Sequence, residues 1–175
     1  YLFTKANLSM KVCIILPTYN ERKNIPVLLD KLLNVVNKVK GFDMNILIVD
    51  DNSPDKTALI VKQYTKNHKN IYLLERENKQ GLGAAYIAGF KYAIQKIKAD
   101  ILFEMDADLS HDPEDIPRFL KEINEGQEFV VGSRYIKGGA IPYWPFSRLL
   151  ISKGGNFFAR IIAGIYQVRD CTSGY

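Results

Sequence analysis

Five short apolar runs divide this sequence, at residues 12–16, 46–49, 71–74, 101–105 and 129–131. Between them, apolar residues recur at the three- and four-residue spacing that is typical of helices. The early runs are apolar on both faces, as strands must be when helices cover both sides of a sheet. This alternation predicts an open, mostly parallel α/β sheet with helices on both faces.

Composition disfavours several other classes of protein. The chain has 175 residues, of which 47% are hydrophobic and 25% charged, values typical of one soluble globular domain. Its net charge of +5 comes without a dense basic run, so we expect no nucleic-acid partner. Two cysteines do not make a disulfide framework, which favours a reducing compartment or a cytosolic face. We find neither a signal peptide nor an apolar run of about 18 residues, so we expect no membrane-spanning helix in this sequence.

Polar residues cluster where the predicted strands end. The stretches are Pro17-Thr18-Tyr19-Asn20-Glu21, Asp50-Asp51-Asn52-Ser53, Asp106-Ala107-Asp108 and Gly132-Ser133-Arg134. In open α/β sheets, ligands bind beyond the carboxyl ends of the strands. The sequence therefore predicts a binding site at this edge of the sheet.

The fourth strand leads into two carboxylates, Asp106 and Asp108. If the chain stays extended, both point to the same side, with Cα atoms roughly 7 Å apart. They repel each other unless a cation lies between them, and Mg²⁺ or Mn²⁺ prefers such oxygen ligands. An ion held there would bridge the protein to a diphosphate. The alternative is a solvated acidic turn before the next helix.

Three further features leave alternatives open. Asp51 accepts hydrogen bonds from a base or a ribose, or it caps the next helix, a role that Ser53 could also take. Gly81 and Gly83 begin a helix, where they serve either a bound phosphate or close helix packing. His111 is either a general base or an ordinary loop histidine.

Five motifs, taken together, indicate a family. They are Pro17-Thr18-Tyr19-Asn20-Glu21-Arg22, Asp50-Asp51-Asn52-Ser53-Pro54-Asp55, Gly81-Leu82-Gly83-Ala84-Ala85-Tyr86, Met105-Asp106-Ala107-Asp108-Leu109-Ser110-His111 and Gly132-Ser133-Arg134-Tyr135. As a set they resemble the family-two inverting glycosyltransferases, whose GT-A fold is a Rossmann-like open sheet. The resemblance runs from about Lys11 to the last residue. The last three motifs narrow it to the branch that transfers mannose to dolichyl or polyprenyl phosphate.

The resemblance implies a role for each matching residue. The nucleotide of GDP-mannose is expected against Pro17, Tyr19, Glu21, Val49 and Asp51. Its diphosphate and a Mg²⁺ or Mn²⁺ ion are expected at Asp106, Ala107 and Asp108, with Ser110 able to join the metal's ligands. The acceptor's phosphate is expected at Arg134, Arg148 and Ser152, the last two sharing a helix face because they are four residues apart. The catalytic residues implied are Asp106, Asp108 and Arg134.

The implied reaction moves mannose from GDP-mannose to dolichyl or polyprenyl phosphate with inversion. Its product, dolichyl β-D-mannosyl phosphate, would serve glycosylation and GPI-anchor pathways. The second pKa of a phosphate monoester is about 6, so the nucleophile is largely ionised at neutral pH and needs no protein base. Alternatives are a UDP-glucose-dependent dolichyl-phosphate glucosyltransferase and a nucleotide-sugar-binding subunit without turnover. A nucleotidyltransferase is disfavoured, because no glycine loop follows the first strand.

The same interpretation divides the chain into three parts. Residues 1–9 precede a plausible start at Met10, so we interpret them as a vector-derived or flexible extension. Residues 10–135 are expected to form the nucleotide-sugar-binding catalytic domain, and residues 136–175 an acceptor loop with an amphipathic helix. Similar enzymes continue further, so we expect the domain to be truncated at its carboxyl end. Carboxyl-terminal membrane helices or membrane-anchoring subunits are possible additions in such enzymes.

The stretch 144–166 predicts contact with a membrane surface. It interleaves aromatic and aliphatic side chains with Arg148, Lys153 and Arg160, which is typical of a helix lying in the interface. The alternative is a core helix packed on the sheet. We expect the cytosolic face of the endoplasmic reticulum membrane in a eukaryote and the cytoplasmic face of the cell membrane otherwise.

Overall fold

The computed structural model describes residues 9–133, 146–164 and 170, and for residues 146–150 and 163 it describes the backbone alone. The chain divides into two compact units, Tyr1–Pro117 and Arg118–Tyr175. The functional boundary expected between residues 135 and 136 stays a prediction.

Four parallel strands form one sheet in the first unit. They are β1 (Met10–Thr18), β2 (Phe42–Asp50), β3 (Ile71–Glu75) and β4 (Ile101–Glu104), in the order β3-β2-β1-β4. Ile14 of β1 pairs with Ile46 of β2 on one side and with Phe103 of β4 on the other. The direction of winding reverses between β1 and β4, and open α/β sheets bind ligands beyond the strand ends at such a switch point.

The described part of the chain contains five α-helices, of which the first three connect the strands of the sheet. They are α1 (Asn24–Val36), α2 (Thr57–Asn67), α3 (Leu82–Tyr92) with a π-helical turn at Ala93–Ile97, α4 (Ile116–Asn124) after a 3₁₀ turn at Pro113–Asp115, and α5 (Phe146–Ala163). Crossovers between parallel strands are right-handed. Because of this, α1 and α2 lie on one face of the sheet, and α3, whose crossover runs back past β2 and β1, lies on the other. The predicted parallel α/β fold is confirmed.

The core lies on both faces of β1 and β2. On one face Cys13, Ile15, Leu47 and Val49 pack against α3, and on the other Val12, Ile14 and Leu16 are equally inaccessible to solvent. Each fully buried aliphatic side chain contributes about 1.5–3 kcal/mol to folding. Contact with α3 is so close that a Cβ on Gly89 would lie 2.6 Å from Cγ2 of Ile15 and 3.1 Å from Cγ2 of Val49.

Two sequence predictions about elements are wrong. Residues 129–131 form no strand, since Phe129 is 76% exposed and the run pairs with none of the described strands. An apolar, β-branched run prefers a pleated, half-buried surface, but it becomes a strand only where a neighbour completes its hydrogen bonds. A cap at Asp51 or Ser53 would start the second helix near residue 54, but α2 begins at Thr57, because Lys56 adopts a left-handed φ of 67°.

In the second unit, α5 continues through Gly154 and Gly155. Five of its apolar side chains are between 48% and 75% exposed, namely Ile151, Phe157, Phe158, Ile161 and Ile162. At 3.6 residues per turn they fall within an arc of about 140°, so they form one apolar face.

Asn156 is buried and donates to the carbonyl of Ser152 (3.0 Å) and to Asp170 (3.4 Å). Among the described helices, none combines the length and the apolar composition needed to cross a membrane.

Candidate functional site

A cavity of about 300 Å³ opens at the switch point between β1 and β4. The ends of β1 and β2, the loop after β4 and the start of α3 contribute to its walls. Its described lining residues are Pro17, Thr18, Tyr19, Glu21, Asp51, Lys79, Gly81, Leu82, Ala85, Asp106, Ala107 and Asp108. All of them belong to the first unit.

Side-chain hydrogen bonds fix the loop after β1 on the loop after β2. The backbone N–H of Asn20 donates to Oγ of Ser53 (3.0 Å), and that of Glu21 donates to Oγ1 of Thr57 (3.1 Å). The Glu21 carboxylate also accepts a 2.6 Å hydrogen bond from Nδ2 of Asn24. Glu21 is therefore held at the cavity before a ligand arrives, which lowers the entropic cost of binding.

Two consecutive aspartates at the end of β2 have different surroundings. Asp50 is buried and accepts hydrogen bonds from the hydroxyl of Thr18 (2.9 Å) and from the N–H (2.9 Å) and hydroxyl (2.6 Å) of Ser53. Its carboxylate therefore ties β1 to β2. Asp51 instead lines the cavity, and its Oδ1 accepts from Nη1 of Arg76 at 2.7 Å. The helix-cap alternative for Asp51 is wrong, because α2 begins further along and has no side-chain cap.

The ion pair of Asp51 and Arg76 organises a neighbouring loop. Both side chains are nearly inaccessible, with 5% and 11% of their surface exposed. Arg76 also donates from Nη2 to Oε1 of Gln80 (3.0 Å), and Asn52 donates from Nδ2 to the carbonyl of Glu77 (2.9 Å). These contacts hold the connection between β3 and α3 against the end of β2.

The acidic pair reaches the cavity through a turn rather than along an extended strand. β4 ends before Asp106, and the chain bends around Leu109, whose φ is 67°. The extended conformation on which the 7 Å separation depended is therefore not adopted, because the chain turns here towards the next helix. Oδ1 of Asp106 accepts a 3.1 Å hydrogen bond from the hydroxyl of Tyr86. The backbone N–H of Asp106 donates to Nδ1 of His111 (3.1 Å), so that nitrogen carries no proton.

Local contacts set the protonation states of Tyr86 and Asp108. Burial raises the pKa of Tyr86, and the carboxylate of Asp106 raises it further, so the hydroxyl remains a donor. Burial also raises the pKa of the Asp108 carboxyl, but hydrogen bonds from the hydroxyl and the N–H of Ser110 (2.9 Å for the latter) outweigh it. The net pKa of Asp108 lies below its ordinary value, so this carboxylate is an anion at neutral pH.

A divalent metal ion fits the chemistry of this donor set. Asp106 and Asp108 line one cavity, and carboxylate oxygens are ligands that Mg²⁺ and Mn²⁺ prefer. The described part of the chain has no cluster of three His, Cys, Asp or Glu side chains able to hold a metal. An ion here would therefore complete its shell with water and substrate phosphate oxygens, as Mg²⁺ commonly does.

The start of α3 brings positive partial charge to the cavity. Gly81 precedes the helix at φ 94° and ψ 161°, a conformation essentially restricted to glycine. A Cβ on Gly81 or Gly83 would meet nothing within 4 Å, so close packing is not their role and belongs to Gly89 instead. The first N–H groups of a helix have no partner within it, and they favour an anion. Phosphate binding at these glycines stays a prediction.

The structure brings most of the predicted nucleotide contacts together around this cavity, namely Pro17, Tyr19, Glu21, Asp51, Asp106, Ala107 and Asp108. The side chain of Val49 is instead buried in the core under α3 and does not line the cavity. Ser110 is exposed beside the acidic pair, and Ser152 is partly buried in α5 of the second unit. Arg134 lies outside the described residues, as does the side chain of Arg148.

The sequence analysis assigned no role to three residues at or near the cavity, namely Arg76, Lys79 and Tyr86. The first two follow β3 in an unbroken polar run, residues 75–80, from which none of the recognised motifs takes a residue. Two basic residues, Arg76 and Lys79, stand just before a helix that begins after a glycine, and this arrangement could have indicated an anion-binding site. Tyr86 stands inside a recognised motif, but its helical spacing is typical of a core residue and conceals the role of its hydroxyl.

Comparisons with known proteins agree on one family. Residues 13–175 match the family described as Glycosyl transferase family 2. The chain is 37% identical over 168 residues to polyprenol monophosphomannose synthase of Mycolicibacterium smegmatis, covering 95% of this chain and 61% of the relative. It is 40% identical over 167 residues to dolichol-phosphate mannosyltransferase of Pyrococcus furiosus, covering 95% and 45%. A crystal structure of S. aureus TarS (residues 1–349) shares the fold, with a TM-score of 0.51 and 24% identity over 73% of this chain and 40% of that one. The chain thus spans 45% to 61% of the length of these two curated relatives.

Proposed function

The chain belongs to glycosyl transferase family 2, and from this premise we propose that it transfers mannose from GDP-mannose to the phosphate of dolichol or another polyprenol. The family predicted from the motifs is confirmed, and the relatives named above are polyprenol- and dolichol-phosphate mannosyltransferases. The proposed product is a β-linked mannosyl phosphate, formed with inversion. It would supply mannose for glycosylation and GPI-anchor synthesis in a eukaryotic cell.

One observation carries the proposal: an aromatic ring with two carboxylates lines one side of the cavity, and the acidic pair lines the other. Tyr19, Glu21 and Asp51 line it at the ends of β1 and β2, and Asp106 with Asp108 lines it beyond β4. An aromatic ring and carboxylate acceptors suit a guanine nucleoside, which offers a flat face and N–H donors. The acidic pair suits a metal-bound diphosphate.

The residues of the acidic side have distinct tasks in the proposed reaction. Asp106 and Asp108 would hold Mg²⁺ or Mn²⁺, which when bound neutralises the charge that develops on the departing GDP. Tyr86 fixes the Asp106 carboxylate by its hydrogen bond, and the hydrogen bonds from Ser110 favour the ionised form of Asp108. Orientation and charge neutralisation are thus the contributions expected of the protein.

The acceptor supplies its own nucleophile in this proposal. A phosphate monoester is mostly ionised at pH 7, so its oxygen attacks the anomeric carbon without a protein base. His111 is accordingly assigned no proton transfer, and its Nδ1 is engaged by a backbone N–H. Arg134 and Arg148, with Ser152, remain our proposed contacts for the acceptor's phosphate, because Arg and hydroxyl groups make strong hydrogen bonds to phosphate.

We further propose that α5 lies on a membrane surface. Its exposed apolar face includes Phe157, Phe158 and Ile162, and Lys153 is available to anionic headgroups. Replacing both phenylalanines by serine should reduce sedimentation with vesicles of mixed neutral and anionic lipid. Unchanged sedimentation would contradict this placement and favour the packed-helix alternative. We propose the cytosolic face of the endoplasmic reticulum membrane in a eukaryote, with membrane-anchoring subunits as possible partners, and the cytoplasmic face of the cell membrane otherwise.

A transfer assay tests the function directly. The chain is incubated with short-chain polyprenyl phosphate and radiolabelled GDP-mannose or UDP-glucose, in parallel, with Mn²⁺. Label from GDP-mannose alone should enter the lipid, and Asp108→Asn should lower the rate by about a hundredfold or more. Asp112→Asn is the matched control, because Asn preserves the cap that Asp112 provides to the 3₁₀ turn outside the cavity. Transfer from UDP-glucose instead, or binding without transfer, would refute the mannosyl assignment.

A further inference from the structure

Lys79 has a place in the cavity that no motif assigns to it. It lines the cavity from the connection between β3 and α3, and its Nζ lies 3.9 Å from the centre of the Tyr19 ring. We propose that Lys79 is a donor-binding residue whose ammonium moves from this ring to the diphosphate of the nucleotide sugar. This inference rests on the proposed function, since it names a contact to that donor.

The charge balance of the cavity calls for a cation. Four of its lining residues are carboxylates, namely Glu21, Asp51, Asp106 and Asp108, and Lys79 is the only basic residue among the described ones. Asp51 is already paired with Arg76 at 2.7 Å. A diphosphate entering beside the remaining carboxylates meets repulsion, which a metal ion at the acidic pair and an ammonium on the opposite loop would together offset.

Hydrogen bonds of the loop fix the backbone on both sides of Lys79. Arg76 holds Gln80 on one side of Lys79, and Asn52 holds the carbonyl of Glu77 on the other. Lys79 itself is exposed, and a cation–π contact at an exposed site is weak. The ammonium therefore leaves the ring at little cost when a phosphate offers a charge-assisted hydrogen bond.

The neighbouring helix start supports the same ligand. Two residues after Lys79, Gly81 opens α3, whose first N–H groups favour an anion, and Gly81 and Leu82 both line the cavity. Withdrawal of the ammonium would also uncover the face of Tyr19. A base could then stack on that ring while its diphosphate occupies Lys79, so a single movement would serve both parts of the nucleotide.

Isothermal titration of the chain with GDP, GMP and guanosine tests the inference. Lys79→Met should weaken GDP binding about tenfold, GMP binding less, and guanosine binding not at all, because only the phosphates lose a partner. Lys79→Arg should retain most of the affinity for GDP. Lys96→Met is the control, since Lys96 is exposed in the π-helical turn that ends the crossover helix and does not line the cavity.

Each other result has a defined meaning. Equal losses for all three ligands would show that Lys79 acts through the base or the Tyr19 ring, which overturns the diphosphate contact. Unchanged GDP binding in Lys79→Met overturns the inference while leaving the proposed function intact. Wild-type protein that fails to bind GDP refutes the proposed function, and the inference with it. Melting curves by circular dichroism establish that each variant is folded.

Discussion

Replacing Gly89 by alanine tests how closely α3 packs on the sheet. The added Cβ would lie 2.6 Å from Cγ2 of Ile15 and 3.1 Å from Cγ2 of Val49, both of which are fully buried. Neither neighbour can swing into solvent, so the helix or the strands must shift. In this substitution, helix propensity and packing change the free energy of unfolding in opposite directions.

The two contributions can be compared in size. Alanine is favoured over glycine within a helix by about 0.8–1.0 kcal/mol. Overpacking a close-packed core costs about 1–3 kcal/mol, and a contact of 2.6 Å belongs in the upper part of that range. We therefore expect Gly89→Ala to lower the free energy of unfolding by about 1–2 kcal/mol, measured by urea denaturation followed by circular dichroism.

Gly83→Ala is the matched control in the same helix. Its Cβ would meet nothing within 4 Å, so only the propensity acts and the variant should be as stable as the wild type or up to about 1 kcal/mol more stable. If Gly89→Ala behaved like Gly83→Ala, the close approach of α3 to the sheet would be refuted. A shift of α3 would also draw Tyr86 away from Asp106, so weaker Mn²⁺ binding should accompany the lost stability.

Three further predictions concern the contacts of the first unit. Tyr86→Phe removes the hydrogen bond to Asp106 and should weaken Mn²⁺ binding about tenfold in a GDP-containing titration, with unchanged affinity counting against this positioning role. Arg76→Met leaves the buried Asp51 charge unpaired and should lower the free energy of unfolding by about 3 kcal/mol in urea, whereas a loss below about 1 kcal/mol would mean that water already reaches the pair. Burial raises the pKa of Cys13 from 9.0 to about 12, so the unfolded state ionises first and stability should fall between these pH values. The slope should exceed that of Cys13→Ala by up to about 1.4 kcal/mol per pH unit, and equal slopes would contradict the thiol's burial.

Local chemistry made the strands and helices of the first unit predictable. Runs such as residues 46–49 are apolar on both faces, so few arrangements other than a covered parallel strand suit them. The run 129–131 is equally apolar but has no partner among the described strands, and pairing is a property of the whole sheet rather than of the segment. The residues of a segment indicate which element it favours, whereas its neighbours in the sheet decide whether a strand forms.

The candidate site was predictable where one segment carries the information. Asp106 and Asp108 could be recognised from sequence because they follow a predicted strand directly, and they line the cavity. Arg76 and Lys79 could not be recognised in this way, because they contact Asp51 and Tyr19, which lie far away in sequence. A motif records neighbours along the chain, and these two contacts are between neighbours in space.

Every described residue that lines the cavity precedes Pro117, at the end of the first compact unit. The residues proposed to recognise the sugar donor therefore lie in one continuous segment of the sequence. Exchanging the sequence that follows this segment would leave these residues unchanged. Chimeras joined just after α4, so that this helix stays intact, would therefore test whether the proposed choices of sugar donor and of acceptor are encoded separately.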